Sequence, residues 1–123
     1  MASKKSNASL ETPKTIENPQ SAEEFAERGW FGYSKRSFEQ AEMDFRRSLD
    51  LNPDNPDVMY ALGLDLAAAG KSQEAISTFE DVIEYLNKHL SEENRVRYYM
   101  LIRLSHGHVS RIKTGEWRLE ARG

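Results

Sequence analysis

The chain contains no cysteine, and this absence removes a whole set of chemistries. Disulfides, thiolate nucleophiles and sulfur-ligated metal sites all require cysteine thiols, so the protein has none of them. The same absence leaves the redox compartment undetermined, because neither an oxidising nor a reducing environment would mark this sequence.

An excess of basic residues is lacking as well. Seventeen Lys and Arg stand against 20 Asp and Glu, which gives a formal net charge of −3 and a pI near 5.6. Because the two signs are interspersed, the sequence has no large basic surface that could neutralise a phosphate backbone. We therefore expect no nucleic acid partner.

Long apolar runs are also missing. No segment approaches the roughly 20 consecutive apolar residues that a membrane-spanning helix needs. The N-terminus, which begins Met1-Ala2-Ser3, lacks the apolar stretch of a secretory signal. These absences predict a soluble, non-secreted protein with a cytoplasmic location and no membrane partner.

The composition that is present favours helices, with 38% hydrophobic and 30% charged residues in a chain of single-domain length. Residues 1–20 are an exception, because they are mostly polar and offer only Leu10 and Ile16 as apolar anchors. Such a stretch cannot offset its ordering entropy. We predict a disordered tail over residues 1–20 and a helical domain over residues 21–123.

Capping signals predict where the first two helices begin and end. Ser21 followed by Glu24 indicates the start of a first helix, which should run to about Ser34. A similar pattern at Ser37 opens a second helix, and Asn52-Pro53 ends it. The two helices form a first predicted hairpin.

The same kinds of signal predict a second hairpin. Asn55 is suited to cap a third helix, and Pro56 to occupy its first position, where no amide donor is needed. Gly70 is able to take the left-handed conformation that terminates this helix. Ser72 is expected to cap the fourth helix.

A longer fifth helix is predicted after Leu90, opened by Ser91 and interrupted by Gly115. Its apolar residues cover more than one stripe, which indicates contacts on two sides. We interpret it as an element that stacks on the fourth helix and either closes the array or reaches a partner. Trp117 follows Gly115, so the chain is expected to fold back there.

The two predicted hairpins repeat each other at one constant spacing. Three small or aromatic residues recur along the chain: Gly29, Ala41 and Phe45 correspond to Gly63, Ala75 and Phe79. We call the spacing from Gly29 to Gly63 the repeat offset. It is typical of stacked helical hairpins, in which small residues let two helices approach closely. The predicted fold class is therefore all-α, a short α-solenoid of antiparallel helical hairpins with a long C-terminal capping helix.

These residues resemble the tetratricopeptide repeat family, whose unit is a pair of antiparallel helices with a period equal to the repeat offset. The resemblance implies units at residues 22–55 and 56–89, with a long helix and a partial third unit within residues 91–119. The second unit matches best. The first unit departs from the family pattern at three positions: Arg28, Gly32 and Ser48.

Catalytic or metal-binding groups do not stand out in the sequence. On a helix His106 and His108 diverge by about 200 degrees, so they do not share a metal site. Carboxylates such as Glu92-Glu93 lie in first turns of helices, where the helix dipole accounts for them. We therefore predict no metal, no cofactor and no enzymatic activity.

The resemblance also implies a concave groove along the inner helix faces. Six residues are predicted to contact a partner: Trp30, Tyr33, Tyr60, Leu64, Asp57 and Arg97. The first four would form an apolar anchor surface, and the two charged residues would lie at its rim. The alternative is that the fifth helix or a second copy of the chain covers the apolar four as ordinary core.

Three hypotheses of function follow. The leading one is a non-enzymatic interaction module that binds a partner helix or an extended peptide in a mainly apolar groove. The second is self-association, in which the C-terminal helix and Trp117 pack against another protomer to form a homodimer. The third, least favoured, is a small metal-dependent protein built on the region of His106 and His108.

Overall fold

The computed structural model describes residues 17–117. Within that range it contains five α-helices and no β-strand, so the predicted all-helical class is confirmed. Most of the predicted N-terminal tail, residues 1–16, lies outside the described residues, and so do residues 118–123.

The five helices run in chain order as α1 Ala22–Ser34, α2 Phe38–Leu51, α3 Pro56–Ala68, α4 Ser72–Lys88 and α5 Arg95–Thr114. Helix α1 packs against α2, α3 packs against α4, and α4 packs against α5. The chain divides into two compact units between Pro53 and Asp54. We call α1 and α2 unit 1, and α3, α4 and α5 unit 2.

Helix α1 begins at the predicted cap. The Ser21 hydroxyl oxygen accepts a hydrogen bond from the Glu24 amide at 3.2 Å. The Glu24 carboxylate in turn accepts one from the Gln20 amide at 2.7 Å. Two amides at the helix start are therefore satisfied by side chains, with Glu24 reaching one residue further back than in the usual capping box.

Helix α3 also begins and ends as predicted. The Asn55 side-chain oxygen accepts hydrogen bonds from the amides of Asp57 and Val58, at 3.1 and 3.3 Å. Gly70, just beyond the helix, has a φ of +83°. Gly115 has the same left-handed φ after α5, so both glycines end helices as the sequence indicated.

Three predicted side-chain caps are wrong: Ser37, Ser72 and Ser91. Ser37 lies at the N-cap of α2 with φ −89° and ψ 70°, and Lys71 occupies the N-cap of α4 with φ −90° and ψ 71°. This is not the extended backbone that directs a cap side chain at helix amides, so neither makes a cap bond. Ser91 bonds the Asn94 amide at 3.3 Å in a turn before α5.

Each unit contains one crossing of a glycine and a phenylalanine where two helices meet. A Cβ atom added at Gly29 would lie 2.7 Å from the Phe45 ring, and one at Gly63 would lie 2.8 Å from the Phe79 ring. Both rings are fully buried. The repeat offset therefore repeats a close helix contact as well as a residue pattern.

The core of unit 2 extends from α4 into α5. Val82 and Leu86 of α4 are buried against Ile102 of α5. Half-buried side chains from all three helices surround them: Met59, Tyr60, Ile83, Tyr85, Tyr98 and Leu101. One apolar stripe of α5 is thereby used within the unit, and it positions the start of α5 beside α3.

Candidate partner-binding surfaces

Unit 1 presents an aromatic face on α1. Trp30 is 42% exposed, although its ring packs edge-on against Tyr33 at 5.8 Å and Phe45 at 5.6 Å. Tyr33 is half-buried, and its ring lies 6.0 Å from that of Phe38. The two unit 1 residues predicted to contact a partner therefore lie together, and neighbouring rings hold Trp30 in place while part of it stays bare.

Tyr60 of α3 is engaged within its own unit. The centre of its ring lies 5.7 Å from the centre of the Phe79 ring. Its hydroxyl oxygen lies 2.9 Å from Nε2 of His108 in α5. Leu64, one turn further along α3, is half-buried. In unit 2, α5 thus contacts part of the surface that the sequence assigned to a partner, as the alternative interpretation expected.

Asp57 and Arg97, predicted for the rim, form an ion pair with each other. The pair joins the start of α3 to the start of α5, and both side chains are more than half exposed. Exposed ion pairs contribute little to stability, since water screens the charges. Both groups therefore remain accessible to a partner.

Sequence reasoning missed a cluster of rings at the end of α5. The His108 ring stacks on the Phe79 ring with 4.8 Å between the ring centres, and the Trp117 ring meets the His108 ring edge-on with 4.7 Å between their centres. The Trp117 indole also covers Gly107, where an added Cβ atom would lie 2.6 Å from it. The predicted fold-back after Gly115 is confirmed. A glycine inside a helix was the available signal, because it often marks a close approach.

Burial in this cluster lowers the pKa of His108 below its usual range, and nearby Arg111 lowers it further. Desolvation and a like charge both disfavour the imidazolium. The neutral ring is therefore the stable form at pH 7, and it is this form that pairs with the Tyr60 hydroxyl.

The exposed side of α4 carries a row of carboxylates. Burial raises the pKa of Asp81, and repulsion from Glu84 and then Glu80 raises it further. All three residues lie at the surface of the helix, with the Asp81 carboxyl only partly shielded from water. The row gives this side of α4 a negative charge.

Metal ligands are not gathered in the described part of the chain. Over residues 17–117, no group of three or more His, Asp or Glu side chains is arranged to hold a metal ion. His108 belongs to the ring cluster, whereas His106 lines a shallow cleft with Glu80 and Lys113. The described residues therefore offer no set of ligands for the metal ion that the third hypothesis requires.

Helix α5 carries a second apolar surface that is bare. Val96, Tyr99 and Met100 are 79%, 49% and 59% exposed. Arg103 and the half-buried Leu104 continue the same face at the spacing of one helical stripe. We call these five residues the outer stripe of α5. The two-sided apolar pattern of this helix is thus present, with one side packed on α4 and the other open.

Comparisons with known proteins leave the function to be argued from these surfaces. No protein-family model, no curated protein and no solved structure matches this chain. The resemblance to tetratricopeptide repeats therefore stays a prediction. Among the described residues, no helix combines the length and the apolar content needed to cross a membrane.

Proposed function

We propose that this chain is a non-enzymatic protein–protein interaction module, a short helical-repeat array of the tetratricopeptide type that binds a partner helix or extended peptide. The observation that carries the proposal is the exposure of Trp30. A tryptophan held by two neighbouring rings and still 42% exposed offers apolar area that loses little side-chain entropy on binding. Residues of this kind dominate the binding energy of protein interfaces.

Repeated contacts support the array, in addition to repeated residues. The close helix approach of Gly29 and Phe45 recurs one repeat offset later, at Gly63 and Phe79. The left-handed backbone of the turn also recurs at this offset, at Arg36 and Gly70. A backbone conformation that recurs at two different residue types argues for a repeated structural unit. Helix α5, packed on α4, would then serve as the capping helix.

Binding would use the predicted groove residues in two roles. Trp30 and Tyr33 would be the apolar anchors of unit 1, and Tyr60 and Leu64 would supply the apolar surface of α3. The exposed pair of Asp57 and Arg97 would act mainly on register and on the choice of partner, since rim charges add little affinity. An amphipathic partner segment, with one apolar and one charged face, suits the chemistry of each unit's surface taken by itself.

The test compares Trp30→Ala with Met43→Ala. Helix-forming peptides are selected from a display library on the immobilised full chain, and their dissociation constants are measured by fluorescence anisotropy. We expect Trp30→Ala to weaken binding by about tenfold or more, as for a hot-spot residue. Met43 is an exposed apolar residue of unit 1 on α2, at 63%, so Met43→Ala is the matched control and should change binding by less than about twofold.

Folding has to be checked in the same variants, because Trp30 also packs against Phe45. Circular dichroism and thermal unfolding show whether the helices of Trp30→Ala persist at the binding temperature. A folded Trp30→Ala variant that binds the selected peptides as tightly as the wild type would contradict the proposal. So would a selection that yields no peptide at all.

A further inference from the structure

The outer stripe of α5 concentrates the exposed apolar surface of unit 2. Within the described residues of this unit, the exposed large apolar side chains are Val96, Tyr99, Met100 and Trp117. Three of them belong to the outer stripe, and Trp117 lies against the same helix. Apolar area gathered in this way marks an interaction surface more often than scattered exposed residues do.

The face that carries the outer stripe is already covered over part of its length. It continues from Met100 to Gly107, and there Trp117 lies on it. The Arg111 guanidinium sits over the Trp117 ring at 5.7 Å. One half of this face therefore packs against an apolar group. In the other half Val96, Tyr99, Met100 and Arg103 are exposed, and only Leu104 is half-buried.

The charge of α5 indicates what covers the exposed half of this face. The helix carries five basic residues, Arg95, Arg97, Arg103, Arg111 and Lys113, and no acidic one. Three of them have carboxylate partners: Glu92 at 2.8 Å from Arg95, Asp57 for Arg97, and Glu80 at 3.7 Å from Lys113. Arg103, in the middle of the outer stripe, forms an ion pair with no carboxylate of the described residues.

We propose that the outer stripe of α5 is a second docking surface and that its occupant is an acidic amphipathic helix of a partner protein. Covering the stripe removes water from around Arg103, and an unpaired charge in such a place is costly. The occupant therefore has to bring a carboxylate to Arg103 together with apolar side chains for Val96 and Met100. The stripe is about 12 Å long, at about 1.5 Å per residue, which matches two turns of a bound helix.

A second copy of the chain fits this surface less well. Pairing two outer stripes would bring Arg103 against another helix that has only basic charges. The acidic row of α4, with Glu80, Asp81 and Glu84, offers charge, but no large apolar side chain on α4 is exposed. Neither face supplies the carboxylate and the apolar groups at once.

An anionic membrane is also a poorer match. Lipid headgroups would pair with Arg103, but a stripe of two turns buries little apolar area in a bilayer. The net charge of −3 further opposes approach of the whole chain to an anionic surface. An acidic helix satisfies the same Arg103 at a local contact.

The experiment uses two synthetic helical peptides as probes. One carries Leu along one face and Glu beside it, and the other has every Glu replaced by Lys. Each is titrated into the full chain labelled with ¹⁵N, and amide shifts are followed by NMR. We expect the acidic peptide to shift amides of residues 96–104, and the basic peptide to shift none of them.

Charge reversal makes the test specific. Arg103→Glu should weaken binding of the acidic peptide to the chain by about tenfold or more, and the basic peptide should then bind more tightly than the acidic one. Met100→Ala should also weaken binding of the acidic peptide. Met43→Ala is the control and should leave this binding unchanged. Trp30→Ala should also leave this binding unchanged, so that failure of the α5 surface and failure of the proposed function are separate results.

Four outcomes would overturn the proposal. The acidic peptide could leave residues 96–104 unshifted, or both peptides could bind equally. Vesicles of phosphatidylserine and phosphatidylcholine could bind the chain in a manner that depends on Met100 while the peptides do not, which would assign the stripe to a membrane. Sedimentation equilibrium could find a dimer that Met100→Ala dissociates, which would assign it to a second copy.

Discussion

The hairpin of α1 and α2 and the hairpin of α3 and α4 share one helix crossing but fill the space beside it in opposite ways. Three positions related by the repeat offset carry the difference: Arg28, Asp44 and Ser48 in the first hairpin, against Leu62, Thr78 and Val82 in the second. The first set is polar and hydrogen-bonded. The second is mainly apolar.

In the first hairpin a buried carboxylate organises the contact. Asp44 accepts two hydrogen bonds from the Arg28 guanidinium, at 3.0 and 2.9 Å, and one from Gln40 at 3.3 Å. The Ser48 hydroxyl donates to the Ala22 carbonyl oxygen at 2.8 Å. A bidentate pair adds geometric specificity, so these bonds favour one register of α1 along α2.

In the second hairpin two of the corresponding residues, Leu62 and Val82, fill apolar space, and the Thr78 hydroxyl donates a hydrogen bond only within its own helix, to the Glu74 carbonyl oxygen at 2.8 Å. Leu62 and Val82 are buried, and Leu66 is fully buried where the first hairpin has Gly32. Gly32 instead borders a shallow cleft, which Arg28 also lines. The comparison teaches that the shared glycine and phenylalanine set how closely the helices approach, while the neighbouring residues are free to be polar or apolar as a set.

The largest expected effect comes from breaking the polar set. Asp44→Thr places the residue of the second hairpin into the first, and we expect it to lower the free energy of unfolding by about 2 kcal/mol. The reason is that Arg28 loses its hydrogen bonds to the carboxylate without gaining an apolar neighbourhood. Urea denaturation followed by circular dichroism measures the change.

The complete exchange Arg28→Leu/Asp44→Thr/Ser48→Val should recover stability to within about 1 kcal/mol of the wild type, because a matched apolar set replaces a buried pair at little cost. Asp50→Thr, at an exposed position of the same helix, is the control. If Asp44→Thr is as stable as Asp50→Thr, the two hairpins do not differ in the way described.

A smaller effect is expected in the turns that join the helices of each hairpin. Arg36 and Gly70 occupy corresponding positions with φ of +64° and +83°. Gly70→Ala should destabilise by about 1 kcal/mol, because an L-residue is strained in this conformation. Arg36→Gly should stabilise by about 0.5 kcal/mol at most, since relief of strain is offset by greater freedom of the unfolded chain.

Thermal unfolding resolves both turn variants. Arg36 also lies over the Phe38 ring at 5.5 Å, and loss of this contact reduces the gain from Arg36→Gly. Gly70→Ala with an unchanged melting temperature would show that the two turns do not impose the same backbone constraint.

The smallest effect is a dependence on pH that only unit 2 should have. Burial, and then Arg111, lower the pKa of His108 in the folded chain, so the unfolded chain takes up the proton first as the pH falls. The contribution of neutral His108 to the free energy of unfolding is therefore fully present above a pH of about 6.5, the ordinary histidine pKa. It is lost progressively as the pH falls from there towards the lowered pKa of His108 in the folded chain. Urea denaturation at several pH values from neutral to mildly acidic measures this slope.

His108→Phe should flatten the slope, because a phenyl ring is able to stack on Phe79 but does not titrate. His106→Phe, two residues away on α5, is the control that should retain it. An equal slope in the wild type and in His108→Phe would assign the dependence to other groups.

Local signals in the sequence predicted much of the helical framework. Ser21, Asn55, Gly70 and Gly115 act through their own backbone or through amides within one turn, and each was placed correctly. Ser37 also lies at its predicted N-cap, but its hydroxyl makes no cap bond, because a hydroxyl caps a helix only if the backbone aims it at the helix amides, and the turn imposes another conformation. Residue type alone does not carry that information.

The candidate surfaces were predicted less completely, for a related reason. Trp30 and Tyr33 lie three residues apart, so helical spacing alone puts them on one face. Tyr60 instead meets His108, which is 48 residues away. Asp57 and Arg97 pair with each other across 40 residues, and the local sequence around either residue could not predict that contact.

Residue order was enough to establish the helical class and the recurrence of glycine and phenylalanine at the repeat offset, because both are read directly along the chain. That each phenylalanine ring packs on the glycine of its own hairpin was shown only by the folded structure. Folding in three dimensions decided which apolar side chains stay bare. Ile102 is buried against α4, whereas Met100, two residues earlier on α5, remains exposed. Exposure depends on which distant element packs against each face, and no short stretch of sequence contains that neighbour.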